Sequence, residues 1–216
     1  MALFIFDYDG TLSDTIAVIC DCMRDAFKKE DLLPPSDIET RQIIGITLDK
    51  AIMILLKERS DPVLAEKITE HYKNIYRYKR ENNLLEDGLF SGAKDILKEI
   101  ENAGHIAAIA TGKSWKGLEA EVIRHNIKNY FVSLECADFH PSKPHPSMIL
   151  KILDETGTSP SDAYMIGDSI YDIEMAKAAS VTPIGVSWGA HDPQKLKEVG
   201  AKMILRKMSD LEMLIG

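Results

Sequence analysis

Two carboxylates one residue apart, Asp7 and Asp9, close the first apolar run of this chain and are followed at once by Gly10 and Thr11. Held together in a fold, such acids repel each other, so they require a cation, a proton or a chemical task. Gly10 lets the chain turn sharply and brings backbone N–H groups close to an incoming anion. The types and their order suit a nucleophile and an acid/base group working beside a metal ion, although an acidic turn after a strand would use the same residues.

Three further segments share this form. Residues 106–112 are apolar and end in Thr111 and Gly112, a strand end turning toward a helix at Ser114. The string from Thr111 to Ser114 looks like the end of a nucleotide-binding P-loop, but that pattern requires glycine at position 107, which is alanine. Lys143 stands in a loop stiffened by Pro141, Pro144 and Pro146. Residues 163–169 are apolar up to Gly167 and Asp168, with Asp172 four residues on. A helix beginning near Ser169 puts Asp168 at its mouth and Asp172 one turn along, both able to face one point. Hard cations such as Mg²⁺ are bound through carboxylate oxygens of this kind. Alternatively, Ser169 and Asp172 form only a helix cap and a first-turn acid.

The elements that position these residues alternate. The pattern predicts strands at 2–7, 106–111, 131–134, 163–166, 182–186 and 202–205. Helices are expected at 92–103, 115–126, 146–156, 170–179, 193–198 and 208–214, with Gly104, Gly157 and Gly200 at C-caps. Such alternation implies an α/β fold, a doubly wound parallel sheet with the first strand in its middle and ligands at the carboxyl ends of the strands. Residues 15–85 break the pattern with helices at about 15–30, 36–44, 48–58 and 62–82 and no strand. The division expected is a core of 1–14 and 86–216 carrying an all-helical unit of 15–85.

With four such segments in order at four strand ends, the chain resembles the haloacid dehalogenase superfamily of phosphotransferases. The motif carrying the likeness is Asp-x-Asp-Gly-Thr at 7–11, followed by Thr111, by Lys143-Pro144, and by Gly-Asp-Ser-x-x-Asp at 167–172. The resemblance implies a Rossmann-like core, with residues 15–85 as a helical cap that closes over the site and excludes water. It further implies Asp7 as nucleophile, Asp9 as general acid and base, and Thr111, Gly112 and Gly10 as hydrogen-bond donors to phosphoryl oxygens. Lys143 would offset charge, and Mg²⁺ would be held by Asp7, the Asp9 carbonyl oxygen, Asp168 and Asp172. The second acid, Asp9, argues against haloalkanoic acid dehalogenases, which lack it. The implied activity is hydrolysis of a small phosphorylated metabolite, as in phosphoglycolate phosphatases, whose cap segment Arg41–Gly45 resembles; Arg41 would meet a substrate carboxylate. An inorganic pyrophosphatase, a β-phosphoglucomutase-like phosphotransferase, a phospho-Asp signalling receiver and an idle scaffold stand as alternatives. The helical block and the Asp7–Asp9 spacing weigh against a receiver.

Composition sets the outer bounds. The 216 residues, 45% hydrophobic and 28% charged, suit a globular protein with a full core and a small second unit. A net charge of −8 argues against bulk nucleic-acid or anionic-membrane binding. His71–Arg80 is basic with interleaved tyrosines, which reads as a solvated helix face with Tyr72 and Tyr76 turned inward rather than as an RNA surface. Three cysteines, with Cys20 and Cys22 on different faces of a helix, suit reduced thiols in a cytoplasmic protein. The first apolar run ends at Asp7 without a basic start, so neither a signal peptide nor a membrane span is expected.

Overall fold

The computed structural model describes all residues, 1–216. Strands β1 (Leu3–Phe6), β2 (Ile106–Thr111), β3 (Phe131–Cys136), β4 (Ala163–Gly167), β5 (Thr182–Val186) and β6 (Met203–Leu205) form one sheet. Its order is β3-β2-β1-β4-β5-β6 and every pairing is parallel. The chain leaves β1 toward one edge and returns to start β4 on β1's other side. The order therefore reverses at β1, where such sheets open a crevice at their carboxyl ends.

β1 shows why this sheet is covered on both faces. Its four residues are fully buried. Phe4 and Phe6 join one apolar cluster, with Ile96, Leu97 and Ile100; Leu3 and Ile5 join another, with Ile149, Ile152 and Met165. Period-2 alternation sends successive side chains to opposite faces, and each buried large side chain contributes roughly 1.5–3 kcal/mol.

The helices of the core are α5 (Ala93–Asn102), α6 (Trp115–Arg124), α7 (Ser147–Thr156), α8 (Ile170–Ala178), α9 (Pro193–Glu198) and α10 (Glu212–Ile215). Between β1 and β2 lie α1 (Ile16–Lys28), α2 (Asp37–Gln42), α3 (Leu48–Leu56) and α4 (Pro62–Glu81), which enclose their own apolar cluster around Met23, Ile52 and Ile68. Sequence signals start them where expected: Ser36 and Glu39 form a capping box, and Asp61 caps α4 ahead of Pro62.

Most boundaries fall within one or two residues of the sequence expectation, and three of the differences have a structural reason or change the element. β3 runs to Cys136 instead of stopping at 134, because Glu135 is tolerated in a buried strand: His140 Nε2 lies 2.6 Å from its carboxylate. The helix expected over 36–44 ends at Gln42, ahead of Gly45 at φ 108°, a conformation that suits glycine. The last helix is a 3₁₀ turn, Met208–Leu211, followed by the four residues of α10. Cys20, Cys22 and Cys136 are free and buried. No helix is long and apolar enough to cross a membrane.

Candidate active site

The crevice at the reversal point gathers the acids. Asp7 follows β1, Thr111 ends β2, and Asp168 follows β4, so pairing of β1 with β2 and β4 sets them side by side. Asp172 comes from the first turn of α8. The capping box that starts this helix, Ser169 Oγ taking the Asp172 N–H while Asp172 Oδ2 accepts from the Ser169 N–H at 3.0 Å, fixes the Asp172 carboxylate. One carboxylate oxygen each of Asp7, Asp168 and Asp172 lie within 4.8 Å of one another, and all three side chains are buried.

Lys143 meets this cluster from the proline-bounded loop. Its Nζ is 2.6 Å from Asp172 Oδ1 and 3.0 Å from Asp7 Oδ1, and only 2% of the residue is exposed. One ammonium thus faces three carboxylates, and the imbalance moves their proton affinities. Burial raises the Asp7 carboxyl well above the usual range; Lys143 opposes this, while Asp172 and Asp168 add to it. Asp168 is pushed up to about 7, first by burial and then by the charge of Asp172. Burial works against the charge of Lys143, but Asp172 and Asp7 outweigh it and hold the ammonium more firmly than usual.

The donors are equally specific. Asp7 Oδ1 accepts from the Tyr8 N–H at 2.7 Å, whereas Asp7 Oδ2 is buried with no hydrogen-bond partner. Asp168 accepts from Thr11 Oγ1 at 2.9 Å and from the Ala190 N–H at 2.7 Å. Gly10, at φ 77°, lies against Asp168, and a Cβ there would run into its carboxylate. Thr111 is buried at the cleft, and Gly112 beside it packs on the helical insertion: a Cβ would stand 2.7 Å from the Gly45 oxygen.

Asp9 has a partner that the sequence reading did not assign. Lys113 Nζ is 2.8 Å from both of its carboxylate oxygens, and Thr15 Oγ1 donates to Oδ1 at 2.8 Å. Lys113 also stands over the rings of Tyr76, at 5.2 Å, and Tyr8, at 5.7 Å. Burial disfavours its charge, but the adjacent Asp9 prevails and raises its proton affinity. The signal available in the sequence is the Thr-Gly-Lys-Ser string at 111–114, which sets a lysine two residues beyond the end of β2.

Arg41 stands beside the site but outside the lining of the cleft. The side chain is exposed, its Nη1 donates to the Gly189 carbonyl at 3.2 Å, and it is not among the residues lining the cleft. It ties the helical insertion to the loop after β5. The cleft itself, about 580 Å³, is bounded by Asp7, Asp9 and Thr111 below and by α3 and α4 above. Tyr72 and Tyr76 are turned inward as expected and stack at 6.2 Å, but Lys73, Arg77 and Arg80 of the same helix line the cleft too.

A metal ion fits the donor set. Three clustered carboxylates against one ammonium leave negative charge unbalanced, and the donors are hard oxygens.

The sheet order, the inserted helices and the acids at two strand ends with Thr111 at a third are features shared with a known family. The sequence profile described as haloacid dehalogenase-like hydrolase matches residues 4–186, and the chain belongs to that family. It is 33% identical to the "Probable phosphatase IndB" of Dickeya dadantii (strain 3937), over 97% of this chain and 91% of that one. It is 27% identical to a phosphoglycolate phosphatase of Vibrio vulnificus (strain CMCP6), covering 87% and 84%, and 26% identical to the pyrophosphatase PpaX of Listeria monocytogenes (serotype 4b, strain CLIP80459), covering 96% and 93%. Among solved structures, a hydrolase from Pseudomonas syringae superposes with a TM-score of 0.88 at 22% identity, covering 100% of this chain and 98% of that one, a likeness of fold.

Proposed function

We propose that this chain is a Mg²⁺-dependent phosphatase that hydrolyses a small phosphate monoester through an aspartyl phosphate on Asp7. The observation that carries the reading is Asp7 Oδ2, a buried carboxylate oxygen with no partner at the floor of a cleft, while Oδ1 is held by the Tyr8 N–H and Lys143. The names of the relatives, a phosphatase, a phosphoglycolate phosphatase and a pyrophosphatase, agree in class and differ in substrate.

Oδ2 attacks phosphorus, a P–O bond to Asp7 forms, and the ester oxygen leaves with a proton supplied by Asp9. A water then attacks the phosphoryl group, Asp9 takes its proton, and orthophosphate departs with Asp7 restored. Thr111 and the Gly112 N–H, at the end of β2 beside the cleft, would donate to the phosphoryl oxygens, and Lys143 opposes part of the burial that raises the proton affinity of Asp7. Asp7, Asp168, Asp172 and the Asp9 carbonyl oxygen would hold Mg²⁺, which, when bound, neutralises the clustered acids and orients the phosphoryl group. The helical insertion acts as the cap, with Gly112 allowing the Gly45–Ile46 backbone to sit directly on the strand end.

The test is orthophosphate release from a panel containing phosphoglycolate, pyrophosphate, a hexose phosphate and 4-nitrophenyl phosphate. Turnover of at least one is expected with Mg²⁺, with a loss of about a hundredfold or more in excess EDTA and inhibition by Ca²⁺, whose longer bonds and larger ligand number spoil in-line geometry. Full activity in EDTA, or no hydrolysis of any member, would reject the reading.

Asp9→Asn separates acid catalysis from structure. An alkyl phosphate needs its leaving oxygen protonated, so its specificity constant should fall by about 10²–10⁴. The first step with 4-nitrophenyl phosphate should fall much less. Equal losses in single-turnover measurements would mean that Asp9 serves only through its carbonyl oxygen and its pairing with Lys113.

A further inference from the structure

The basic stretch of α4 was expected to be a solvated face, but the fold turns one stripe of it onto the cleft. Lys73, Arg77 and Arg80, at spacings of four and three, all line the cavity that opens from Asp7 and Asp9. Within that cavity the inner acids are already paired, Asp7 with Lys143 and Asp9 with Lys113. The outer part carries Lys50, Lys73, Arg77, Arg80 and Lys116 against two carboxylates, Asp49 and Asp138. Asp138 is itself engaged by the Trp115 N–H at 2.9 Å, Lys73 stands 3.7 Å from the exposed Glu70, and Arg77 and Arg80 have no ion-pair partner. In a chain whose net charge is −8, this is a local concentration of positive charge.

A second observation also points to a ligand. Thr69 Oγ1 and Tyr76 Oη, on the same helix and lining the same cleft, have no hydrogen-bond partner, though each residue is only 9% exposed. Such groups are ordinarily satisfied, and the cleft that both residues line is about 580 Å³, more than a two-carbon leaving group fills.

We propose that the Lys73–Arg77–Arg80 stripe is a second anion subsite, selecting phosphate monoesters whose leaving alcohol carries a further phosphoryl group. The assignment rests on the phosphatase reading above, because the first phosphoryl group is taken to lie at Asp7. A second phosphate, rather than a carboxylate, matches the stripe: it offers three oxygens and nearly two charges to two guanidinium groups and an ammonium.

The experiment measures binding by titration calorimetry with phosphonates, whose P–C bonds the proposed reaction cannot break. The probes are pentane-1,5-bisphosphonate, pentylphosphonate and 6-phosphonohexanoate, each with wild type and with the double variant Arg77→Gln/Arg80→Gln, the first site exposed and the second half-buried. In wild type the bisphosphonate should bind about tenfold or more tightly than pentylphosphonate, and in the variant the ratio should shrink to about threefold or less. Equal binding of the two in wild type, or a preference that survives in the variant, overturns the subsite. Equal affinity for 6-phosphonohexanoate and the bisphosphonate overturns the assignment to phosphate. Failure of the phosphatase reading is recognised separately, as absence of orthophosphate release from every ester in the panel.

Discussion

Asp7→Asn is expected to lower phosphatase turnover by at least about a thousandfold, the scale for removing a nucleophile, while leaving the divalent-free protein as stable as wild type or more so. The two effects share one cause. The amide can keep its oxygen toward the Tyr8 N–H and Lys143, and its NH₂ then replaces Oδ2, the oxygen without a partner. That substitution removes a nucleophile and also removes one charge from three buried carboxylates that repel one another. Thermal melting in EDTA and initial-rate kinetics in Mg²⁺ measure the two halves. Retention of a tenth of wild-type turnover would refute Asp7 as nucleophile; a large fall in Tm would mean that its charge is structurally required.

Lys143→Met is expected to act in the opposite sense on stability. The ammonium is the one cation in contact with the Asp7–Asp172 pair, so its loss should cost about 3–5 kcal/mol, as for breaking a buried ion pair, along with activity. The pH dependence follows from the raised affinities of Asp7 and Asp168 for protons. Below about pH 4 both are protonated folded or unfolded, and Lys143 offsets little. As pH rises toward the folded value of about 7 for Asp168, the acids ionise against burial, which costs wild type stability too, and the variant, without the ammonium, loses more. Above pH 7 the deficit should be largest, and it should narrow when Mg²⁺ is added. A Tm difference between variant and wild type that is flat from pH 5 to 8 would contradict this account.

The fold was legible because its signals are local and repeated: apolar runs ended by Gly or Asp, serines and aspartates at helix starts, glycines at helix ends. β3 exceeded its expected end because the partner that makes Glu135 tolerable, His140, is visible only in three dimensions. The acids of the site were equally legible, since each is written beside a strand end. Lys113 and Arg41 were not. Their roles depend on how the helical insertion sits on the core: it brings Tyr76 over Lys113, and it spends Arg41 on the Gly189 carbonyl. The basic stripe of α4 illustrates the same limit, because helical periodicity identifies a face and says nothing about what it looks onto.

The central place of β1 also governs when the site can come into being. Its neighbours are residues 106–109 on one side and 163–166 on the other, so neither edge of the first strand can be paired by its own hairpin. Asp168 further relies on the N–H of Ala190. A chain emerging from synthesis therefore carries Asp7 through most of its length as a hydrated, ordinary carboxylate. The electrostatic strain of the cluster is incurred only in the late, non-local closure that joins the sheet. The helical insertion lies wholly between β1 and β2 and closes shorter loops than the sheet does, so it can organise before that closure, ahead of the acids it adjoins.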